Sequence, residues 1–185
     1  MHLNKEQMEE TNLYLKPVRI FLVGFMGSGK THWGKIWAAA TGLNFFDLDE
    51  VIEAETQQTI SELFEKQGEA AFRELEKSQL REFAQKKDFV LACGGGTPCY
   101  GDNLEWMKSV GTVLYLKASP EVIIRQLRGE RQKRPLIREV RQEELATFIG
   151  HKLAEREPYY SKADRTLDVS TLKRGTLAGF LPPAK

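Results

Sequence analysis

Cysteine is scarce in this chain: Cys93 and Cys99 are the only two among 185 residues. Two thiols are too few for a disulfide framework and suit a reducing compartment. Long apolar runs are lacking as well. The longest uncharged stretch, residues 89–101, falls short of the ~18 residues a membrane span needs and is broken by four glycines and a proline. Lys5, Glu6, Glu9 and Glu10 stand where a signal peptide would carry its apolar segment, so the expected location is the cytoplasm, with no membrane partner. Nor is there an excess of one charge: 27 Lys and Arg face 26 Asp and Glu, for a net charge of +1. Such a chain has no overall attraction for nucleic acid, and any basic site must be local.

What is present is ordinary globular material: 41% hydrophobic, 10% aromatic and 29% charged residues, enough to bury a core. The length suits one domain, expected over 17–185 behind a polar tail at 1–16. Residues 18–23, 44–46, 89–92, 112–116 and 166–169 read as strands, the best of them β-branched or aromatic and nearly free of charge, as strands covered on both faces should be. Helical patterns lie between them. Residues 30–40 are helix-forming, Thr59 with Glu62 is a capping box opening a stretch at 61–66, and Phe72, Leu75, Leu80 and Phe83 line one face over 69–86. Ser119-Pro120-Glu121 is a helix start. Strands alternating with helices predict an α/β fold with a parallel sheet. One segment, 125–141, is unusual in holding seven basic residues and two acids.

The strongest chemical signal is Gly24-Phe25-Met26-Gly27-Ser28-Gly29-Lys30-Thr31, which matches G-x-x-x-x-G-K-[ST] between a strand and a helix. Glycines let successive backbone N–H groups turn inward on phosphate oxygens, and the helix N-terminus adds its dipole. Lys30 then reaches the β- and γ-phosphates and the Thr31 hydroxyl meets Mg²⁺. This motif binds a nucleoside triphosphate without saying what is done with it. Many such proteins end a neighbouring strand in an Asp for the metal. Here residues 89–92 run into Cys93-Gly94-Gly95-Gly96 instead, three bare backbone positions at the ligand-binding edge of the sheet. The carboxylates follow the second strand, as Asp47-Leu48-Asp49. One residue apart, they can serve different jobs, one toward a metal's water and one toward a substrate hydroxyl. The plainer readings are a helix N-cap for Asp49 and a solvated loop acid for Asp47.

The phosphate loop, Asp47-x-Asp49, Phe72-Arg73-x-x-Glu76, Gly94-Gly95-Gly96, Arg134-Pro135-Leu136 and Arg156-x-Pro158-x-Tyr160 occur together in this order. With Phe64, Gly68 and Glu69 in the stretch 60–72, they make the chain closely resemble the shikimate kinase family over about residues 18–181. The resemblance implies a P-loop kinase fold: a five-stranded parallel sheet in order 2-3-1-4-5 flanked by helices, a substrate-binding part around 49–80 and a mobile lid around 125–141. It implies a monomer that uses ATP and Mg²⁺ to phosphorylate the 3-hydroxyl of shikimate, a step of chorismate and aromatic amino acid biosynthesis. Residue by residue, Gly27, Ser28, Gly29, Lys30, Thr31 and His32 would hold ATP, and Thr31 and Asp47 the metal. Arg73 and Arg156 would grip the shikimate carboxylate, with Gly94, Gly95 and Gly96 beside them. Asp49 would hold ring hydroxyls and act in catalysis with Lys30 and the lid arginine, Arg134.

The residue types suit these roles. An arginine fork pairs bidentately with a carboxylate and stays charged, and a basic lid places positive charge on phosphate oxygens while excluding water. The bland alternatives are an intrahelical ion pair of Arg73 with Glu69 or Glu76, in which Glu76 orients Arg73, and a helix-end charge for Arg156 before Pro158. His32 stands where the family has a small hydroxyl residue. The spacing from Arg128 to Arg134 is one residue short of the family pattern, which leaves adenine contacts open among Arg128, Lys173 and Arg174. Trp33 and Trp37 read as packing, and Cys93 and Cys99 as a poor metal pair without a neighbouring histidine. The rivals are another small-metabolite kinase of this fold, acting on gluconate or a nucleoside monophosphate, and a catalytically silent nucleotide-binding module.

Overall fold

Five short strands carry the fold: β1 (Arg19–Val23), β2 (Asn44–Asp47), β3 (Phe89–Ala92), β4 (Thr112–Lys117) and β5 (Arg165–Asp168). They form one sheet in the order β2-β3-β1-β4-β5, with every pairing parallel. The structure, a computed structural model, describes residues 17–127, 137, 140, 141 and 143–181. The tail at 1–16, Arg128, Arg134 and most of the basic segment 125–141 lie outside these residues.

The apolar strands are unbroken because both faces of the sheet are covered. Phe21, Val23, Phe89, Leu91, Val113 and Tyr115 point into one core, while Ile20, Leu22, Val90, Leu114 and Leu116 point into the other. That is the period-two alternation of a strand with apolar residues on both sides. On the second face α1 (Lys30–Thr41) supplies Trp37 and Ala38. Trp37 is fully buried, and its Nε1 donates to the Lys173 carbonyl at 2.9 Å, so it packs the core as expected. The first face is covered by α2 (Leu48–Thr56), α3 (Ile60–Glu82), α4 (Asn103–Val110), α5 (Pro120–Leu127) and α6 (Leu145–Tyr160).

Local signals fix the helix ends. Thr59 and Glu62 form the capping box in both directions at the start of α3. The two helical stretches expected at 61–66 and 69–86 are the two arms of α3. They meet at Gly68, whose φ of 79° and ψ of 168° belong to no helix and suit a residue without a Cβ. The second arm ends at Glu82 and tightens into a 3₁₀ turn at Phe83–Gln85.

Strand order then positions the site. In the order 2-3-1, the loop after β1, the end of β2 and the loop after β3 are neighbours at one edge. The register places Leu22 and Asp47 on either side of Ala92. The phosphate loop, the Asp47–Asp49 pair and the glycine run therefore converge at the carboxyl ends of the strands, where open α/β sheets bind ligands.

Candidate active site

These three segments line an open cleft of about 920 Å³ together with α3 and α6. On its phosphate side the backbone is built around absent Cβ atoms. A Cβ on Gly24 would lie 2.6 Å from the Leu116 carbonyl oxygen, and Gly29 caps α1 at φ 88°. Lys30 is folded into this loop, its Nζ donating to the carbonyls of Gly24 at 2.8 Å and Phe25 at 2.9 Å. To reach a β- or γ-phosphate it exchanges these carbonyls for phosphate oxygens. Ser28 Oγ is buried without a hydrogen-bond partner beside it. His32 lines the cleft at its exposed rim, its ring edge-on to Trp33 at 5.4 Å.

Thr31 Oγ1 and Asp47 Oδ2 are 2.6 Å apart. A hydroxyl and a carboxylate side by side at a phosphate loop are hard oxygen donors of the kind Mg²⁺ takes. Among the described residues no group of three or more His, Cys, Asp or Glu side chains is placed to hold a metal, and Mg²⁺ commonly draws most of its shell from waters and substrate phosphates. Asp47 also caps α2, its Oδ1 accepting from the Asp49 N–H at 3.1 Å. The capping role that is the plainer alternative for Asp49 thus belongs to Asp47. Asp49 instead sits in the first turn of α2 and faces the glycine run, its Oδ1 3.4 Å from where a Cβ on Gly94 would be.

The glycine run is closely packed by its neighbours. A Cβ on Gly94 would meet Glu76 Oε1 at 2.6 Å and Thr97 Oγ1 at 2.9 Å. On Gly95 it would meet Arg156 Nη1 and the Met26 amide nitrogen, both at 3.3 Å, and on Gly96 the Arg73 guanidinium carbon at 2.6 Å. Each missing Cβ lets one charged group close on the backbone. Gly94→Ala should therefore cost about 1–3 kcal/mol, the usual range for overpacking, and weaken substrate binding by displacing Glu76. A melting curve and a substrate titration on the variant check both effects.

Both arginines are positioned. Arg73 on α3 is buried and bonds Glu76 Oε2 through Nη1 at 2.6 Å and Glu69 Oε1 through Nη2 at 3.3 Å. The fully buried Glu76 also accepts from Thr97 Oγ1, and Asn103 Nδ2 holds the Thr97 carbonyl at 3.0 Å. Burial tends to lower the Arg73 pKa, but the Glu76 and Glu69 carboxylates outweigh it and raise it, so the side chain is a permanent cation. Arg156 lies inside α6, which continues through Pro158 to Tyr160. The helix-end reading of this residue is therefore corrected. Its guanidinium rests 5.5 Å from the Phe25 ring centre, and Nη1 is buried with no hydrogen-bond partner. Burial raises the Cys93 thiol well above its ordinary value and Cys99 to about 11. Both stay protonated near neutral pH, the inert form of cysteine. Sequence reasoning missed the Thr97 hydroxyl and the bond from Tyr160 to Gly95 described below. Both are contacts between distant segments with no local pattern.

The shikimate kinase family model matches residues 26–178. The chain belongs to the shikimate kinase family. It is 45% identical over 155 residues to a shikimate kinase of Phocaeicola vulgatus, covering 84% of this chain and 89% of that one. The crystal structure of the Bacteroides thetaiotaomicron shikimate kinase superposes with a TM-score of 0.79 at 42% identity, over 84% of this chain and 89% of that one. A shikimate kinase from Acinetobacter baumannii in complex with shikimate gives 0.81 at 34% identity, over 92% and 93%. The shikimate kinase family accounts for the P-loop kinase fold and makes the chain an ATP-dependent phosphotransferase. No helix among the described residues is long and apolar enough to cross a membrane.

Proposed function

We propose that this cleft binds shikimate between Arg73, Arg156 and the glycine run, and passes the γ-phosphoryl of ATP to its 3-hydroxyl in a Mg²⁺-dependent reaction. The observation that carries the reading is the pair of arginines converging on Gly95 and Gly96, with one buried guanidinium nitrogen, Arg156 Nη1, lacking a partner. A buried cationic donor left unpaired is costly, and a substrate carboxylate removes that cost. Asp49 Oδ1 lies 3.4 Å from where a Cβ on Gly94 would be, in the cleft that the phosphate loop also lines. A ring anchored by its carboxylate thereby offers a hydroxyl to Asp49 and to the incoming phosphate.

Asp49 accepts the hydrogen bond, and in turnover the proton, of that hydroxyl. The hydroxyl oxygen then bonds to the γ-phosphorus as the bridge to the β-phosphate breaks and ADP leaves. The transition state is loose, so positioning and charge supply most of the rate. Lys30 follows the charge from the loop carbonyls onto the phosphates. Thr31 and Asp47 would hold Mg²⁺, which when bound would supply charge neutralisation at the phosphate oxygens. The resemblance implies that Arg134, which lies outside the described residues, would act on the γ-phosphate.

A coupled assay of ADP release with shikimate, gluconate and AMP in turn tests the substrate. Release should depend on both Mg²⁺ and shikimate. Equal ADP release without acceptor, or faster release with gluconate or AMP, refutes the assignment.

A further inference from the structure

We propose that Tyr160 is a positioning residue: its hydroxyl bond to the Gly95 carbonyl sets Arg156 over the anion seat. This rests on the shikimate reading of the site. Tyr160 Oη donates to Gly95 O at 2.6 Å, joining α6 to the loop after β3 across 65 residues of sequence. Arg156 lies four residues earlier on α6, hence one turn away on the same face. Its Nη1 comes within 3.3 Å of a Cβ built on the very glycine whose carbonyl Tyr160 holds. One bond thus fixes the distance between the helix that carries the arginine and the backbone against which the substrate lies.

The last turn of α6 needs such a tether. Pro158 lies inside the helix, and a proline there gives up a backbone hydrogen bond and crowds the preceding turn. The Tyr160 ring is fully buried and stacks on Tyr115 at 5.0 Å. The phenol supplies both an apolar anchor and a polar handle. Burial pushes its ionisation above the ordinary value, with Arg156 acting in the opposite direction, so it remains a neutral donor under working conditions. Tyr115 makes an instructive contrast. Its hydroxyl also bonds to α6, at Glu157 Oε2 and 2.7 Å, rather than to the glycine run.

Tyr160→Phe and Tyr115→Phe each remove one hydroxyl tied to α6 and keep the stacked rings. Shikimate affinity of the full chain, measured by calorimetric titration, is expected to fall three- to tenfold in Tyr160→Phe, about the worth of one hydrogen bond. The shikimate KM should rise by the same factor. Turnover at saturation and the KM for ATP should stay within twofold, because binding to the carboxylate is common to ground and transition states. Tyr115→Phe should leave shikimate affinity unchanged while its melting temperature falls as far as that of Tyr160→Phe. Shikimate affinity equal to wild type in Tyr160→Phe, or reduced equally in both variants, overturns the positioning role and leaves the substrate reading intact. Failure of the wild-type chain to bind shikimate overturns both.

Discussion

Asp49→Asn is expected to lower turnover by roughly 10²–10⁴-fold, the usual worth of a positioned general base, while Asp47→Asn leaves a much faster enzyme that needs more Mg²⁺. The two acids are one residue apart but their surroundings differ. Asp47 ends β2, touches the Thr31 hydroxyl and caps α2. Asp49 has turned onto the helix and faces Gly94. Asparagine keeps the size of Asp49 and removes its charge, so the variant cannot take the proton of an attacking hydroxyl. Because the phosphoryl transition state is loose, part of the loss should come from poorer orientation, seen as a higher KM for shikimate. Asparagine caps a helix about as well as aspartate, so Asp47→Asn keeps α2 and weakens only the metal side. Rate measured against Mg²⁺ and against shikimate separates the two. An Asp49→Asn enzyme displaced only on the Mg²⁺ axis, with Asp47→Asn displaced only on the shikimate axis, would show the roles reversed.

This division was half legible in the sequence. That two acids follow a strand beside a phosphate loop can be read from residue order, as can the loop itself, because each needs only neighbours in the chain. The cap was read at Asp49 as its plainer role and falls to Asp47 instead, since the two acids are equally good caps and only the path of the backbone decides. The strands were read within one residue because their apolar runs answer to two covered faces. The two helical patterns at 61–66 and 69–86 were legible, while their joining at Gly68 into one bent helix depends on packing. Pro158 misled, because tertiary contacts of Tyr160 carry α6 past a residue that ends helices in isolation. Thr97 bonding Glu76 and Tyr160 bonding Gly95 span 21 and 65 residues, and periodicity has no reach over such distances. Arg128, Arg134 and most of the segment 125–141 lie outside the described residues, and the roles expected of them rest on the resemblance.

Arg73→Met should damage stability and binding together, and the two losses can be separated. The Glu76 carboxylate is fully buried, and in the native chain the Arg73 guanidinium stands 2.6 Å from it. Breaking a buried pair by removing one partner strands the other charge in the interior, at about 3–5 kcal/mol. Glu69 adds little to this, because its carboxylate is 58% exposed and exposed pairs are worth ~0–1 kcal/mol. Methionine still covers Phe72, whose ring centre lies 5.2 Å from the guanidinium carbon, so the loss is mainly one of charge. Shikimate affinity should fall roughly ten- to hundredfold, the worth of one charge-assisted pair, with ATP affinity held within a few-fold. In the double variant Arg73→Met with Glu76→Met, no buried charge is stranded. Most of the lost stability should return, since neighbouring partners are not additive, while shikimate affinity stays low. Thermal melts and shikimate titrations on wild type, single and double variants decide the point. If the double variant binds shikimate like wild type, Arg73 serves Glu76 and not the substrate. If the single variant melts with wild type, the Glu76 carboxylate was never dependent on it.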